Sequence, residues 1–257
     1  MMPSDRQHQI QESRYQFPYH YIPSCEDGKF VQARVLSWGY EYLAYTRFVL
    51  SKIRALRFDS LLDAGCGDGR FLFELRKMFP DKKLAGIDIS ETAIRYAEAL
   101  SPDVTYLCGN VRNSAELQRD FDIITAIEVF EHIPPDGLPG FVKALAERLK
   151  CNGVLALTVP SKNTPMARKH YQHFDLESLR ETLKPHFAVA EHFFINRISR
   201  WVKWMECLLV NRFFILNHQG LLNRLYRSYE RLWLNAEQHN AKRICALCRK
   251  CEDMGKQ

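Results

Sequence analysis

Long hydrophobic runs are missing from this sequence of 257 residues. The apolar stretches Cys207–Val210 and Phe213–Leu216 are split by Asn211 and Arg212, far short of the ~20 apolar residues a bilayer span needs. The first residues, MMPSDRQHQIQESR, hold no apolar segment of the kind a secretory signal carries. The expected location is cytoplasmic, or peripheral on the inner face of a membrane. No internal repeat or low-complexity tract is present. A disulfide framework is missing too: the eight cysteines, at 25, 66, 108, 151, 207, 245, 248 and 251, are mostly isolated, as reduced thiols are. Cys245, Cys248 and Cys251 find no further Cys or His pair at matching spacing. On a strand, Cys245 and Cys248 would point to opposite faces, so a metal cluster there is not expected.

What is present is a globular composition, 46% hydrophobic and 26% charged, with enough chain for one α/β domain and an added lobe. The net charge of +6 is uneven. Between Arg197 and Gln257 twelve Lys/Arg face five Asp/Glu, a balance of +7, which leaves the rest of the chain near −1.

Residues 1–30 read as a loosely ordered polar lead-in. Residues 32–56 contain no proline and show helical spacing of apolar residues, predicting one or two helices. Strands and helices then alternate. Ser60–Asp63, Leu84–Asp88, Val104–Cys108, Phe121–Ile127, Val154–Val159 and Phe187–Ile195 read as strands. Arg70–Met78, a segment capped by Ser90 and running to about Ala99, Leu138–Leu149, and a segment capped by Asp175 and running to Leu183 read as helices. Cys151-Asn152-Gly153 reads as the turn after the third of these. This alternation predicts a parallel doubly wound sheet with ligands at the carboxyl ends of its strands. Lys242–Arg249 reads as a last strand, which makes residues 198–240 a helical insertion.

The segment Asp63-Ala64-Gly65-Cys66-Gly67-Asp68-Gly69 follows the first strand of the alternation. Glycines let a backbone turn sharply and approach a ligand closely. The dinucleotide fingerprint is G-x-G-x-x-G over a pyrophosphate. Here the pattern is G-x-G-x-G, with acids at Asp63 and Asp68. Acids would repel a pyrophosphate and suit a cofactor with a cationic amine and sulfonium. Asp88 ends the next strand, where a carboxylate accepts from ribose hydroxyls. Ile89 would lie against an adenine, and Asn110 with Val111 would meet its edge.

The pattern DAGCGDG, then GIDIS, then FDIITAIEVFEHIP resembles the class I S-adenosylmethionine-dependent methyltransferases, the ubiquinone-biosynthesis O-methyltransferase and type 11 group among them. The resemblance covers about residues 60–195. It implies a Rossmann-like α/β fold with a seven-stranded sheet, mostly parallel, and a reversed last strand. It implies S-adenosylmethionine as cofactor and S-adenosylhomocysteine as product. It places the methionine part at Asp63 and Gly65, within the loop that includes Cys66 and Gly67. It places the ribose at Asp88 and the adenine at Asn110 and Val111, where the family more often has Asp than this chain's Asn110.

Glu128, Glu131 and His132 lie at the end of the fourth strand of the alternation, beside the expected sulfonium. His132, with Glu131, is the candidate general base, since imidazole titrates near neutral pH; the competing reading is structural. Some relatives use E-x-x-E-H to hold a divalent metal, which would make Glu128, Glu131 and His132 ligands, with His170 or His173 as the fourth. His170, Tyr171 and His173 follow the fifth strand, where the family's acceptor loop lies.

The expected organisation is a lead-in with helices over 1–56, a cofactor-binding core over 57–197, a lobe over 198–240 and a last strand with its tail over 241–257. The expected function is methyl transfer, as O-methylation of a small-molecule, glycan or lipid-linked acceptor. A metal-assisted nucleic-acid 2′-O-methyltransferase and a non-catalytic binding protein of the same fold are the alternatives. The basic, aromatic segment 197–233 reads as a helical cap or homodimer surface, a patch for anionic lipid, or a nucleic-acid contact.

Overall fold

A computed structural model describes residues 24–26, 29–31, 34–114, 117, 120–209, 213–214, 216 and 218–251. Most of the lead-in, residues 1–23, lies outside them, as does Arg212 of the basic segment. In place of an irregular stretch, β1 (Ser24–Glu26) and β2 (Lys29–Val31) form a small antiparallel pair. Two three-residue strands are too short to show an alternating pattern in sequence.

One helix, α1 (Arg34–Arg54), then leads to β3 (Ser60–Ala64). The chain continues through α2 (Arg70–Met78), β4 (Lys83–Asp88), α3 (Glu91–Leu100), β5 (Thr105–Cys108) and β6 (Phe121–Ile127). A single 3₁₀ turn, Phe130–His132, precedes α4 (Leu138–Arg148), β7 (Leu149–Pro160), α5 (Leu176–Leu183) and β8 (Phe187–Arg197). Two further helices, α6 (Arg200–Leu209) and α7 (Gln219–Leu232), separate β8 from β9 (Ala241–Lys250). No helix among the described residues is long and apolar enough to cross a membrane.

Seven strands form one sheet in the order β5-β4-β3-β6-β7-β9-β8. β9 alone runs against its neighbours, between β7 and β8. This is the α/β Rossmann-like fold with a reversed last strand and a helical insertion. The predicted turn at Cys151-Asn152-Gly153 is corrected: α4 ends at Arg148 and the chain enters β7 at once. Phe121 pairs with Leu149 and Ile123 with Val154, so residues 150–153 bulge out of the ladder without ending the strand.

Alternation along the strands builds two apolar layers. Leu61, Ile123 and Cys245 face the layer holding Val49 of α1, Leu72 of α2 and Ile94 of α3. Leu62, Ile124 and Cys248 face the layer holding Leu145 of α4 and Leu179 of α5. Cys245 and Cys248 therefore sit on opposite faces as small buried side chains. Asp122 ties the amino-terminal edge: its Oδ2 accepts from the N–H groups of Asp59 and Ser60, and its Oδ1 pairs with Lys150 at 2.6 Å.

Candidate active site

The connections change direction between β3 and β6, where α/β sheets hold ligands beyond the strands' carboxyl ends. Three glycines after β3 adopt left-handed backbone, with φ of 82° at Gly65, 52° at Gly67 and 75° at Gly69. A Cβ on Gly65 would lie 2.5 Å from Cγ2 of Val129, so only glycine lets this loop approach the one after β6. Asp88 fixes the turn. Its Oδ2 accepts from the Gly67 N–H and its Oδ1 from the Ser90 N–H, both at 2.9 Å. The N–H groups of Gly65 and Cys66 donate to the Ile87 carbonyl at 2.7 and 3.1 Å. The Cys66 side chain packs beneath the loop in the core, and Ile89 is 58% exposed just past Asp88.

Asp63 is buried within β3 and accepts a 2.6 Å hydrogen bond from the Thr125 hydroxyl. Burial raises its carboxyl to about 7; the Thr125 bond opposes that rise, and the charge of Asp88 adds to it. Thr125 was missed in the sequence, where its one signal is a hydroxyl inside an apolar strand.

Asn110 is exposed, and its Oδ1 accepts from the Arg112 N–H at 3.0 Å, which leaves the NH₂ end of the amide without a protein acceptor among the described residues. Val111 is buried. Arg148, which the sequence did not single out, shapes this loop by donating to the carbonyls of Val111, Ser114 and Leu117.

Glu128 takes a left-handed φ of 56°, a cost of about 1 kcal/mol for a residue with a side chain. The backbone is held there by its N–H, which donates to both the carbonyl and the hydroxyl of Thr158 at 3.1 Å. Its Oε2 accepts from Arg243 Nε at 3.0 Å. Arg243, from β9, is a second residue that the sequence did not disclose, since only the finished sheet brings it there. Glu128 Oε1 and Glu131 Oε2 are buried and accept from no donor among the described residues. Burial, and then the charge of Glu128, push the Glu131 carboxyl well above its ordinary value.

Hydrogen bonds fix the imidazoles around Glu131. His132 Nδ1 lies 3.2 Å from the Lys169 carbonyl and must donate to it, which makes Nε2 the unprotonated nitrogen of the neutral ring. His173 Nδ1 donates to the Thr164 carbonyl at 3.1 Å, so its Nε2 accepts from His170 Nδ1 at 2.8 Å. His170 Nε2 is then also unprotonated. Burial, and next the neighbouring His132, lower His170 to about 3, keeping it neutral. Glu131 Oε1 lies 3.9 Å from His132 Nε2, and ligand atoms of Glu131, His132 and His170 all fall within 4.8 Å of one another. Of the two histidines that the sequence offered beside Glu131 and His132, His170 is the nearer. Glu128 Oε2 is engaged by Arg243 and both nitrogens of His173 are used within the protein, whereas His170 Nε2 turns toward Glu131 and His132. Tyr171 donates its N–H to the Glu131 carbonyl at 2.8 Å, which ties the loop after β7 to the 3₁₀ turn. Two surface cavities near Arg57 and Asp122 open at the opposite, amino-terminal edge of the sheet.

Residues 61–153, which run from the first strand of this site to the start of β7, match a family profile described as a methyltransferase domain. This segment is similar to that domain. Among curated proteins, a trans-aconitate 2-methyltransferase of Afipia carboxidovorans is 36% identical over 114 residues, 44% of this chain and 43% of that one. A mitochondrial ubiquinone biosynthesis O-methyltransferase of Schizosaccharomyces pombe is 32% identical over 117 residues, 42% of this chain and 40% of that one. The chain thus spans less than half the length of these curated relatives. In solved structures the fold recurs across nearly the whole chain. Magnesium protoporphyrin IX methyltransferase from Synechocystis PCC 6803, with bound SAM, covers 97% of this chain and 98% of its own at a TM-score of 0.57 and 14% identity.

Proposed function

We propose that this protein is an S-adenosylmethionine-dependent methyltransferase that methylates an oxygen of a small-molecule, glycan or lipid-linked acceptor. The observation that carries this reading is the glycine turn pinned by Asp88 between a buried acid and an exposed apolar side chain. The site chemistry fits this cofactor. Asp63 offers a carboxylate to an ammonium group. Asp88 holds the loop through both oxygens, and a carboxylate so placed suits the ribose hydroxyls as an acceptor. Ile89 offers apolar cover to an adenine, Asn110 Nδ2 a donor to its edge, and the Val111 backbone lies beside it. The relatives named above carry methyltransferase and O-methyltransferase names, which supports methyl transfer and an oxygen acceptor.

S-adenosylmethionine supplies an already activated methyl group when bound, so the protein's task is alignment and proton removal. His132 Nε2 takes the acceptor hydroxyl's proton, while Lys169 holds the ring through Nδ1. Glu131 lies beside the imidazolium that forms. His170 and Tyr171 line the acceptor side, and His173 orients His170. In domain terms, residues 57–197 form the cofactor-binding core and β9, within 241–257, completes the sheet. The lobe over 198–240 serves acceptor delivery or partner contact.

Calorimetric titration with S-adenosylhomocysteine tests the reading. Binding should occur in the wild type, weaken in Asp88→Asn and vanish in Asp88→Ala and Gly65→Val. A folded wild type that does not bind sinks it. A metal-assisted variant of the same reaction is favoured by one observation, the convergence of two unprotonated imidazole nitrogens with a carboxylate, a ligand set that suits Zn²⁺ or Fe²⁺. Elemental analysis of protein purified without chelators should then find a stoichiometric divalent metal; its absence, with turnover indifferent to EDTA, rejects the variant.

A further inference from the structure

The insertion leaves the sheet at the end of β8 and re-enters it at the start of β9. β8 runs parallel to β7 because both oppose β9. Both ends of the insertion therefore lie on the carboxyl edge, the edge that holds the candidate site. One face of α6 is accounted for: Val202, Met205 and Leu209 pack with Ala44 of α1 and Tyr229 of α7. The opposite arc carries Arg200, Trp201, Lys203, Trp204, Cys207 and Leu208, all exposed. Trp201 and Trp204 show 72% and 73% of their surface to solvent. That arc holds no acid. The helix's one acid, Glu206, is half-buried and pairs with Lys242 of β9 at 3.4 Å. On α7, Arg224, Arg227 and Arg231 are exposed at spacings of three and four residues, one helical stripe. None of these five cations forms an ion pair among the described residues.

We propose that the α6–α7 lobe docks on an anionic lipid surface, with the two indoles entering the headgroup layer and the five cations meeting its phosphates. Charge complementarity selects this occupant. A second copy of the same surface would set like charges against each other, which is repulsive. A nucleic-acid duplex would satisfy the cations but leave the indoles in water. An indole has an apolar body and a polar N–H, and it settles at headgroup depth. Because the lobe sits on the site's own edge, docking would bring a lipid-linked acceptor to that edge. This last clause rests on the methyltransferase reading; the docking does not.

Co-sedimentation of the full chain with vesicles tests the docking. One set contains equal parts phosphatidylglycerol and phosphatidylcholine, the other phosphatidylcholine alone, at a salt concentration of about 0.15 M. The wild type should pellet with the first set and stay in solution with the second. W201A/W204A and R200E/K203E should each bind at least about tenfold more weakly, while unfolding at the wild-type temperature, because all four side chains are exposed. No pelleting of the wild type overturns the proposal. So does pelleting unchanged in W201A/W204A. Tighter binding to a single-stranded oligonucleotide than to the anionic vesicles overturns it too, as does a dimer that the same substitutions dissolve. Pelleting by a chain that does not bind S-adenosylhomocysteine leaves the docking standing and removes the acceptor clause.

Discussion

At Asp63 a carboxyl group lies inside the sheet, with the Thr125 hydroxyl as its donor and an ionisation near pH 7. Only the ionised form attracts an ammonium. Above pH 7 the group is charged before the ligand arrives. Below pH 7 a proton must leave as the ligand binds, because a cation beside the carboxylate lowers its pKa. The affinity for S-adenosylhomocysteine should therefore be level above pH 7 and fall by up to about tenfold per pH unit below it. Asp63→Asn should bind more weakly and lose this dependence; calorimetry across pH 5.5–8.5 reads both, and a wild-type profile flat through about pH 7 rejects the assignment. The glycines and Asp88 were legible in the sequence because each meets a backbone requirement with a residue-type signature. Thr125 and Arg148 were not, because their importance lies in what they reach across the fold. The choice between His170 and His173 beside Glu131 belongs to the same class. Both stand in one run of sequence, and only the hydrogen bond that the His173 ring donates to the Thr164 carbonyl decides which imidazole turns to the carboxylate.

Among the elements, those with strong local signals matched their predicted bounds. Arg70–Met78 and Phe121–Ile127 appear in the structure with the ends read from sequence, one through its apolar face and the other through a mostly apolar run that only Asp122 and Thr125 interrupt. The Cys151-Asn152-Gly153 segment misled because a wide bulge uses the same residue types as a turn. α5 shows local chemistry at its clearest. Asp175 accepts from the Ser178 N–H at 2.8 Å, and Ser178 Oγ accepts from the Asp175 N–H at 3.0 Å, a reciprocal cap. Asp175→Ala should lower stability by about 1 kcal/mol. Asp175→Asn should lower it less, since the amide oxygen still caps and only the exposed pair with Lys162 is lost. Urea denaturation of the three proteins checks the ranking.

For the molecule as a whole, Arg243 joins parts that are distant in sequence. It meets Glu128 after β6, Glu41 of α1 at 3.6 Å and Asn196 of β8 at 3.4 Å, and its guanidinium lies over the Tyr45 ring. Next to it, Lys242 pairs with Glu41 and Glu206 and so draws α6 into the same network. Arg243→Met should lower stability by about 3–5 kcal/mol, because Glu128 is left buried without its counter-charge. Glu128→Gln in the same chain should restore part of the loss, and a double-mutant cycle in urea measures the coupling. The placement of β9 carries a consequence for how the molecule is made. A nascent chain that has emerged only through α7 has strands on both sides of an unfilled slot, each with a row of backbone groups awaiting a partner. It also has Glu128 at the future site without the cation that matches it. The last ten-residue strand fills the slot and delivers that cation in one step. Ribosome-bound intermediates should thus display sheet edges open to wrong pairing until β9 has emerged, and the site acquires its electrostatic balance only at that moment.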